Sequence, residues 1–477
     1  MRTSLSRGSI LIQTIVFSGI ASLVIASLVG WAVSSTRFAR ESTYRELAFH
    51  IAEAGLEYYR WHLAHAPSDF EDGTGAPGPY LHTYFDKNGT AIGTFTLEIT
   101  PPSGGSALVV VRSTGKVNDY PHVSRTVEAA LAIPSFASYA IIGNANLRFG
   151  EGTEVFGAVH SNGGIHFDGL AHNLVSSALE EYNDPDHSGG DEYAVHTHLG
   201  TADPEPPAAL PNRPDVFAAG RSISLPEIDF AGITADLAEM KADAQESGQY
   251  FPASGALGYH VVFQPSGMFA LYRVTSLVPV PQGCQETGGQ ADWGTWSIES
   301  ETLIGTYAIP ANGLLFFEDD VWVNGVVNGR ATLAVGRFPD NPAHRQSITV
   351  NSDLTYAAYD GSNALALIAQ QDINVGLVSE DDLRIDGALI AQNGRVGRFY
   401  YRPPSGGSQR CSPYHVRQSL TLFGSLMTAE RYGFAYTDGT GYQTRTLNFD
   451  ASFLYAPPPY FPLSSGEYEI VSWREVK

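Results

Sequence analysis

The sequence predicts an α+β protein that is mainly β. A long N-terminal helix, transmembrane then amphipathic, leads into a small antiparallel sheet. A parallel β-solenoid-like domain with an inserted helix and hairpin follows. Three observations support this. Ser9 to Thr36 carries no charge. Short runs of alternating apolar and polar residues recur between turns in a chain holding 49 Gly and 28 Pro. One pattern, apolar-x-apolar-x-Gly-x-apolar, returns several times after about residue 138.

The helix comes first. Roughly 20 apolar residues span a bilayer core, and Ser9 to Thr36 exceeds that. A cleaved secretory signal has a shorter apolar region of about 7–15 residues and a small-x-small cleavage site, which is missing here. The helical pattern continues without Pro to about His65. Ala48, Ile51, Ala52, Gly55, Leu56 and Tyr59 recur at three- and four-residue spacing, drawing one apolar stripe along a polar helix. Residues 9–36 are therefore read as the transmembrane half and 37–65 as its amphipathic continuation.

The basic leader MRTSLSRG, ending in Arg7-Gly8 before that apolar run, resembles a class III (type IV prepilin) signal. RGSILIQ, together with AFHIAEAGLEYY around Ala52-Glu53-Ala54-Gly55, is similar to the N-terminal region of PilX-type minor pilins. The resemblance implies that a prepilin peptidase cuts after Gly8 and that Ser9 becomes the methylated N-terminus. It also implies a retained helix that packs beside those of other pilins. Major pilins carry Glu as the fifth mature residue, and this chain has Gln13. A neutral amide cannot pair with a neighbour's N-terminal amine, which favours a minor or tip position over a bulk subunit. Helix contact would then rest on small residues, Gly19, Ala21, Ser22, Ala26, Ser27 and Gly30. The later order of helix, hairpin, FFEDDVWVNG, LIAQ repeats and SWRE close also looks like long PilX-type proteins, so the likeness covers most of the chain.

Composition narrows the function. The chain has 477 residues and a net charge of −22 with 28 basic residues, which argues against nucleic-acid binding and for a solvated, extracellular-type surface. The two cysteines, Cys284 and Cys411, both follow the membrane segment; in an oxidising space one disulfide is the simplest pairing, with buried free thiols the alternative.

After a Pro-, Gly- and His-rich loop over 66–93, three alternating runs read as strands: Gly93–Thr100, Ala107–Val117 and Val123–Ile133. With the helix they suggest a pilin-like β module over 66–135. The Gly motif then appears as Thr153–Val159, Val321–Val327, Leu383–Leu389 and Leu420–Leu426, with Gly157, Gly325, Gly387 and Gly424 as corners. Leu367-Ile-Ala-Gln370 recurs as Leu389-Ile-Ala-Gln392. Such repeats suggest a solenoid over 136–430, with a β-sandwich as the alternative. An insertion is expected at about 171–300. Ala171 to Leu225 reads as an acidic, Pro-rich surface excursion. Asp229 to Ser247 reads as a helix with Ile233, Leu237, Met240 and Ala244 on its apolar stripe and Gly248 as its cap. Gly258 to Thr275 reads as a hairpin about Pro265-Ser266-Gly267. Residues 431–477 are read as a tail ending in one short strand.

Three groups could carry chemistry. His160, His166, His172, His187, His196 and His198 are imidazoles close in sequence, but His160 and His166 fall on alternating rung positions, where surface or ladder roles are expected. Asn183 to Glu192 offers carboxylates to Ca²⁺ without EF-hand or nonapeptide spacing. Glu318-Asp319-Asp320 and Glu380-Asp381-Asp382 could serve a β-helix polysaccharide hydrolase or lyase, but each precedes a rung, and a repeated turn explains both. No P-loop, G-x-S-x-G or C-x-x-C occurs. The expectation is a non-enzymatic protein with no metal and no cofactor, anchored by a single span with its large C-terminal part outside the cytoplasm.

Overall fold

The computed structural model describes residues 8–102, 108–133, 135–230, 236–284, 294–454, 456–462 and 467–476. Most of the leader, Ala107 and Ile233 lie outside these ranges. The chain forms two compact units.

The first unit is built on one unbroken helix, α1, Gly8–His65. Its C-terminal half packs on an antiparallel sheet of β1 (Tyr80–Phe85), β2 (Ala91–Thr100), β3 (Val109–Val117) and β4 (Tyr120–Ala132). The stripe read from the sequence is the buried face: Ala48, Ile51, Ala52 and Tyr59 are fully buried, and Leu63 extends it by one turn. Against it stand Phe95, Leu97, Val109, Val111, Val127 and Leu131, the inward residues of three alternating strands. Each large side chain so buried contributes about 1.5–3 kcal/mol. Gly115 sets how closely helix and sheet approach, since a Cβ there would lie 2.1 Å from the Ala48 carbonyl oxygen.

One strand of this sheet escapes the sequence reading, and another is expected without its place. β1 lies inside the expected loop, where YLHTYF is short and flanked by Pro79 and Asp86. The C-terminal strand Glu469–Val476 is the expected closing strand, but its place is here: it pairs antiparallel with β4. Residues 431–477 therefore do not form one tail. Gly441–Phe449 belongs to the second unit, and the last strand to the first.

The second unit is thus inserted between two neighbouring strands of the first unit's sheet. It is a stack of parallel coils. One face runs, in spatial order, through 249–251, 314–317, 330–335, 364–369, 382–391, 416–428, 141–143, 159–161, 175–177 and 221–222, each strand parallel to the next. The chain enters mid-stack at Ile141, proceeds to one end and crosses to the other. It then returns until Gly441–Phe449 lies on Thr153–Phe156. Entry and exit meet where the Phe136 amide donates to the Pro462 carbonyl at 3.2 Å.

The crossing segment carries α2, Asp236–Glu246. Leu237, Met240 and Ala244 are buried, as their spacing predicts, and pack with Phe316, Ala334, Ala366 and Ile368 on the outer side of the coil face. Those strands are therefore covered on both sides, which is why Ala364–Ala369 reads as the continuous apolar run ALALIA. The inner side forms the main core, including Val155, Phe167, Leu333, Leu367, Leu389 and Leu426.

The LIAQ repeat stacks in register, Leu367 on Leu389 and Ala369 on Ala391. Gly387 and Gly424 also pair, and both have positive φ. Gly325 does not join them: it pairs with Leu354, which pairs with Ile385, two residues out of register. Its motif is a corner of a different column. The expected surface excursion over 171–225 also contains rungs, at Val175–Ser177, Val195–His196 and Arg221–Ser222. The hairpin is present, with Gln264 opposite Met268 across Gly267, and gains a third antiparallel strand, Ile298–Ala308.

Cys284 and Cys411 form a disulfide with Cα atoms 4.6 Å apart, packed with Leu377, Phe399 and Tyr401. The bridge closes a separation of 127 residues. Replacing both cysteines by Ser is expected to lower stability by about 3–5 kcal/mol. Denaturation of oxidised, reduced and double-Ser protein checks this, and identical midpoints would refute it.

Candidate functional site

Two parts of the molecule hold candidate residues singled out by sequence. The first is the N-terminal half of α1, which begins at Gly8 and continues through Ser9 and Gln13 without a break. This half is long and apolar enough to cross a membrane, with Phe17, Leu23 and Trp31 each 71% exposed. Its hydroxyls do not spoil that surface. Thr14, Ser18, Ser22 and Ser27 each donate to the carbonyl four residues back, at 3.0, 2.6, 2.8 and 2.8 Å. Gly19 and Gly30 have open space where a Cβ would point, and Ala26 is exposed on the same helix. In Ala52-Glu53-Ala54-Gly55, Ala52 and Gly55 are buried, while Glu53 lies 3.3 Å from His50.

The carboxylate clusters serve corners. Glu318 is tied to Lys241 and Tyr250, Asp319 accepts from Ser254, and Asp320 accepts from the Ser347 amide. In the second cluster, Asp381 accepts from Arg417 and Asp382 from Ser419.

The second part is a histidine–carboxylate cluster in the second unit. Leu147–Phe149, Ile165–Phe167 and Val195–His196 stack in parallel, with Arg148, His166 and His196 in one column. Leu147, Phe149, Ile165, Phe167 and Val195 belong to the inner core. Alternation turns the intervening His166 and His196 away from it. Both are nevertheless buried, at 2% and 1% exposure, beside Asp184, Glu192 and Tyr182, the last two from a short antiparallel pair.

The polar contacts converge. His166 places Nδ1 at 2.7 Å from Asp184 and Nε2 at 2.7 Å from Asp168. Asp168 is held in turn by the His198 amide at 2.8 Å and the Thr197 hydroxyl at 3.2 Å. His196 directs Nδ1 at the Tyr193 carbonyl, 3.0 Å away, and its Nε2 lies 3.1 Å from Glu192 Oε2 and 3.5 Å from Asp184 Oδ2. The other Glu192 oxygen meets His198 at 2.7 Å and His187 at 3.3 Å. Burial opposes charge on His166, but its two carboxylate partners outweigh burial and push its pKa up to about 9. Burial likewise opposes the Asp168 charge, yet the His166 hydrogen bond holds its pKa down at about 2. Asp184 is lowered further by His166 and His196 against the same desolvation.

Sequence reading named these histidines and the run containing Asp184 and Glu192 but assigned them separately; the structure brings them together. It leaves out His160, which meets Ser176, and His172, which meets Glu154. Asp168 was missed, because a lone Asp after a strand carries no signal. Beside the cluster lies a cleft of about 830 Å³ whose lining includes Asp168, Arg148, Asp186, Arg395 and Arg431.

No family profile and no curated protein matches the chain. Among solved structures it is similar to the competence-associated pilin ComZ from Thermus thermophilus, with 14% identity over 91% of this chain and 98% of that one, at a TM-score of 0.28. It is also similar to an ice binding protein from an Antarctic Biological Consortium, with 8% identity over 65% and 87% of the two chains, at 0.14. Neither score establishes a shared fold.

Proposed function

We propose that this chain is a minor or tip component of a type IV pilus-like system. In this reading it is a non-enzymatic protein that displays its β-rich unit outside the cytoplasm for assembly or adhesion. The observation that carries the reading is α1. One continuous helix has an apolar half with no partner among the described residues and a second half packed on a small antiparallel sheet. The first half suits a bilayer and then the packed helices of a filament; its partners are the membrane, prepilin peptidase and other pilins. Gln13 retains a polar group there without the charge, so the chain enters filaments at low copy beside subunits that carry Glu.

Processing is the first test. The mature chain should begin at Ser9 by mass spectrometry, and Gly8→Leu should leave the leader attached. A mature protein that begins at Met1, or one cut beyond Ser35, would sink the assignment. Incorporation is the second. Gln13→Glu should raise the ratio of this protein to the major subunit in sheared filaments, as read by quantitative mass spectrometry. A processed protein that never appears in filaments would instead place it on the surface as an anchored structural protein.

A further inference from the structure

We propose that His166, Asp184, Glu192 and His196 bind one divalent transition-metal ion of the zinc class, which closes the 181–198 segment onto the coil stack. The case rests on what the buried polar atoms face. His196 gives its Nδ1 hydrogen to the Tyr193 carbonyl, so the lone pair of the neutral ring is on Nε2. That nitrogen points at two carboxylate oxygens. Neither it nor Glu192 Oε2, 3.1 Å away, completes a hydrogen bond, although both are buried. Opposed lone pairs of this kind are relieved by a cation held between them.

The His166, His187, His196 and His198 rings crowd together: His196 is 4.8 Å from His166 and 5.0 Å from His198, and His187 is 4.5 Å from His198. One divalent ion neutralises the carboxylates and needs every ligating imidazole neutral. The ligand atoms of His166, Asp184 and His196 already lie within 4.8 Å of one another. Tetrahedral zinc places its donors about 3.3 Å apart, so side-chain shifts on the order of an ångström complete the set.

The surroundings match a ligand shell. Asp168 accepts from His166 Nε2, leaving Nδ1 to ligate; it is a positioning residue in a carboxylate–histidine–metal arrangement. The Tyr193 carbonyl does the same for His196. Two imidazoles and two carboxylates, with both cysteines committed to the disulfide, favour zinc over calcium, which takes oxygen ligands. His187 and His198 sit on the far oxygen of Glu192, and His187 is exposed, so that trio belongs to the rim. The ion would also meet a structural need, because the segment it closes has only two-residue strands.

The test uses full-length, untagged protein in detergent, stripped with chelator and titrated with zinc against a chromophoric competitor. One equivalent per chain is expected, with hydrogen-exchange protection of amides 181–198 on zinc addition. Cobalt(II) should give the visible absorption of a four-coordinate site without thiolate bands. His196→Ala and Asp184→Asn should each weaken binding on the order of 100-fold, and Asp168→Asn by about 10–100-fold. His187→Ala should leave affinity unchanged. If folded wild-type protein takes up no zinc at micromolar concentration, the proposal fails. It fails equally if zinc binds with no added protection of 181–198, or if His187→Ala rather than His196→Ala abolishes binding.

Discussion

Arg398→Ala is expected to lower the stability of the second unit by about 3–5 kcal/mol. The Arg398 side chain is fully buried. Its guanidinium donates to the carbonyls of Gly376, of Leu377 at 3.0 Å and of Tyr414 at 2.7 Å, and to the Ser379 hydroxyl at 2.8 Å. The rings of Tyr401 and Tyr442 lie 4.7 and 5.7 Å from it. Burial pushes its pKa down from the usual arginine range. The charge is tolerated because planar donors fan out to several loop carbonyls, of which that of Leu377 also accepts from Arg417 at 3.2 Å. Truncation strips the Gly376 and Tyr414 carbonyls of that donor in a dry site, while Leu377 keeps Arg417. Lys offers one ammonium in place of the fork, so Arg398→Lys should recover little. Hydrogen exchange over 376–414 and chemical denaturation measure the effect; a loss under 1 kcal/mol would contradict it.

Gly424→Ala is expected to be nearly as damaging, at about 2–4 kcal/mol. Gly424 has φ +154, and a Cβ there would sit 1.9 Å from the Gly387 carbonyl oxygen of the neighbouring coil. A backbone atom cannot rotate away, so the two coils would have to separate at a corner where they are in register. Gly439→Ala is the control. Its φ is +82 and nothing lies within 4 Å of the added Cβ, so it reports backbone strain alone, at about 1 kcal/mol. Equal losses in the two variants would show that the close approach at Gly424 contributes nothing.

What could be read in advance followed from local periodicity. The stripe from Ala48 to Tyr59 has the helical period, so the buried face of α1 was legible. The face of α2 was legible at Leu237, Met240 and Ala244 for the same reason. The LIAQ repeat reported its own register because equivalent rungs meet equivalent neighbours. Gly325 shows the limit: its motif matches that of Gly387, yet the coils align it with Ile385 through Leu354, since motif identity does not count the residues in intervening corners.

The histidine–carboxylate cluster was half legible. Its histidines were visible as a dense group, and Asp184 and Glu192 as an acidic loop. Their convergence depends on stacking His166 beneath His196 and folding the Glu181–Tyr193 pair over both, contacts that no local pattern encodes.

By itself the sequence determined the elements: an apolar helix that continues into an amphipathic one, alternating strands and glycine corners. These depend on residues a few positions apart, where backbone geometry sets the period. Tertiary structure alone decided the order of the coils, the return of Glu469–Val476 to β4, and the meeting of imidazoles with carboxylates. Those depend on which distant surfaces bury one another, a choice made by the packing of the whole chain.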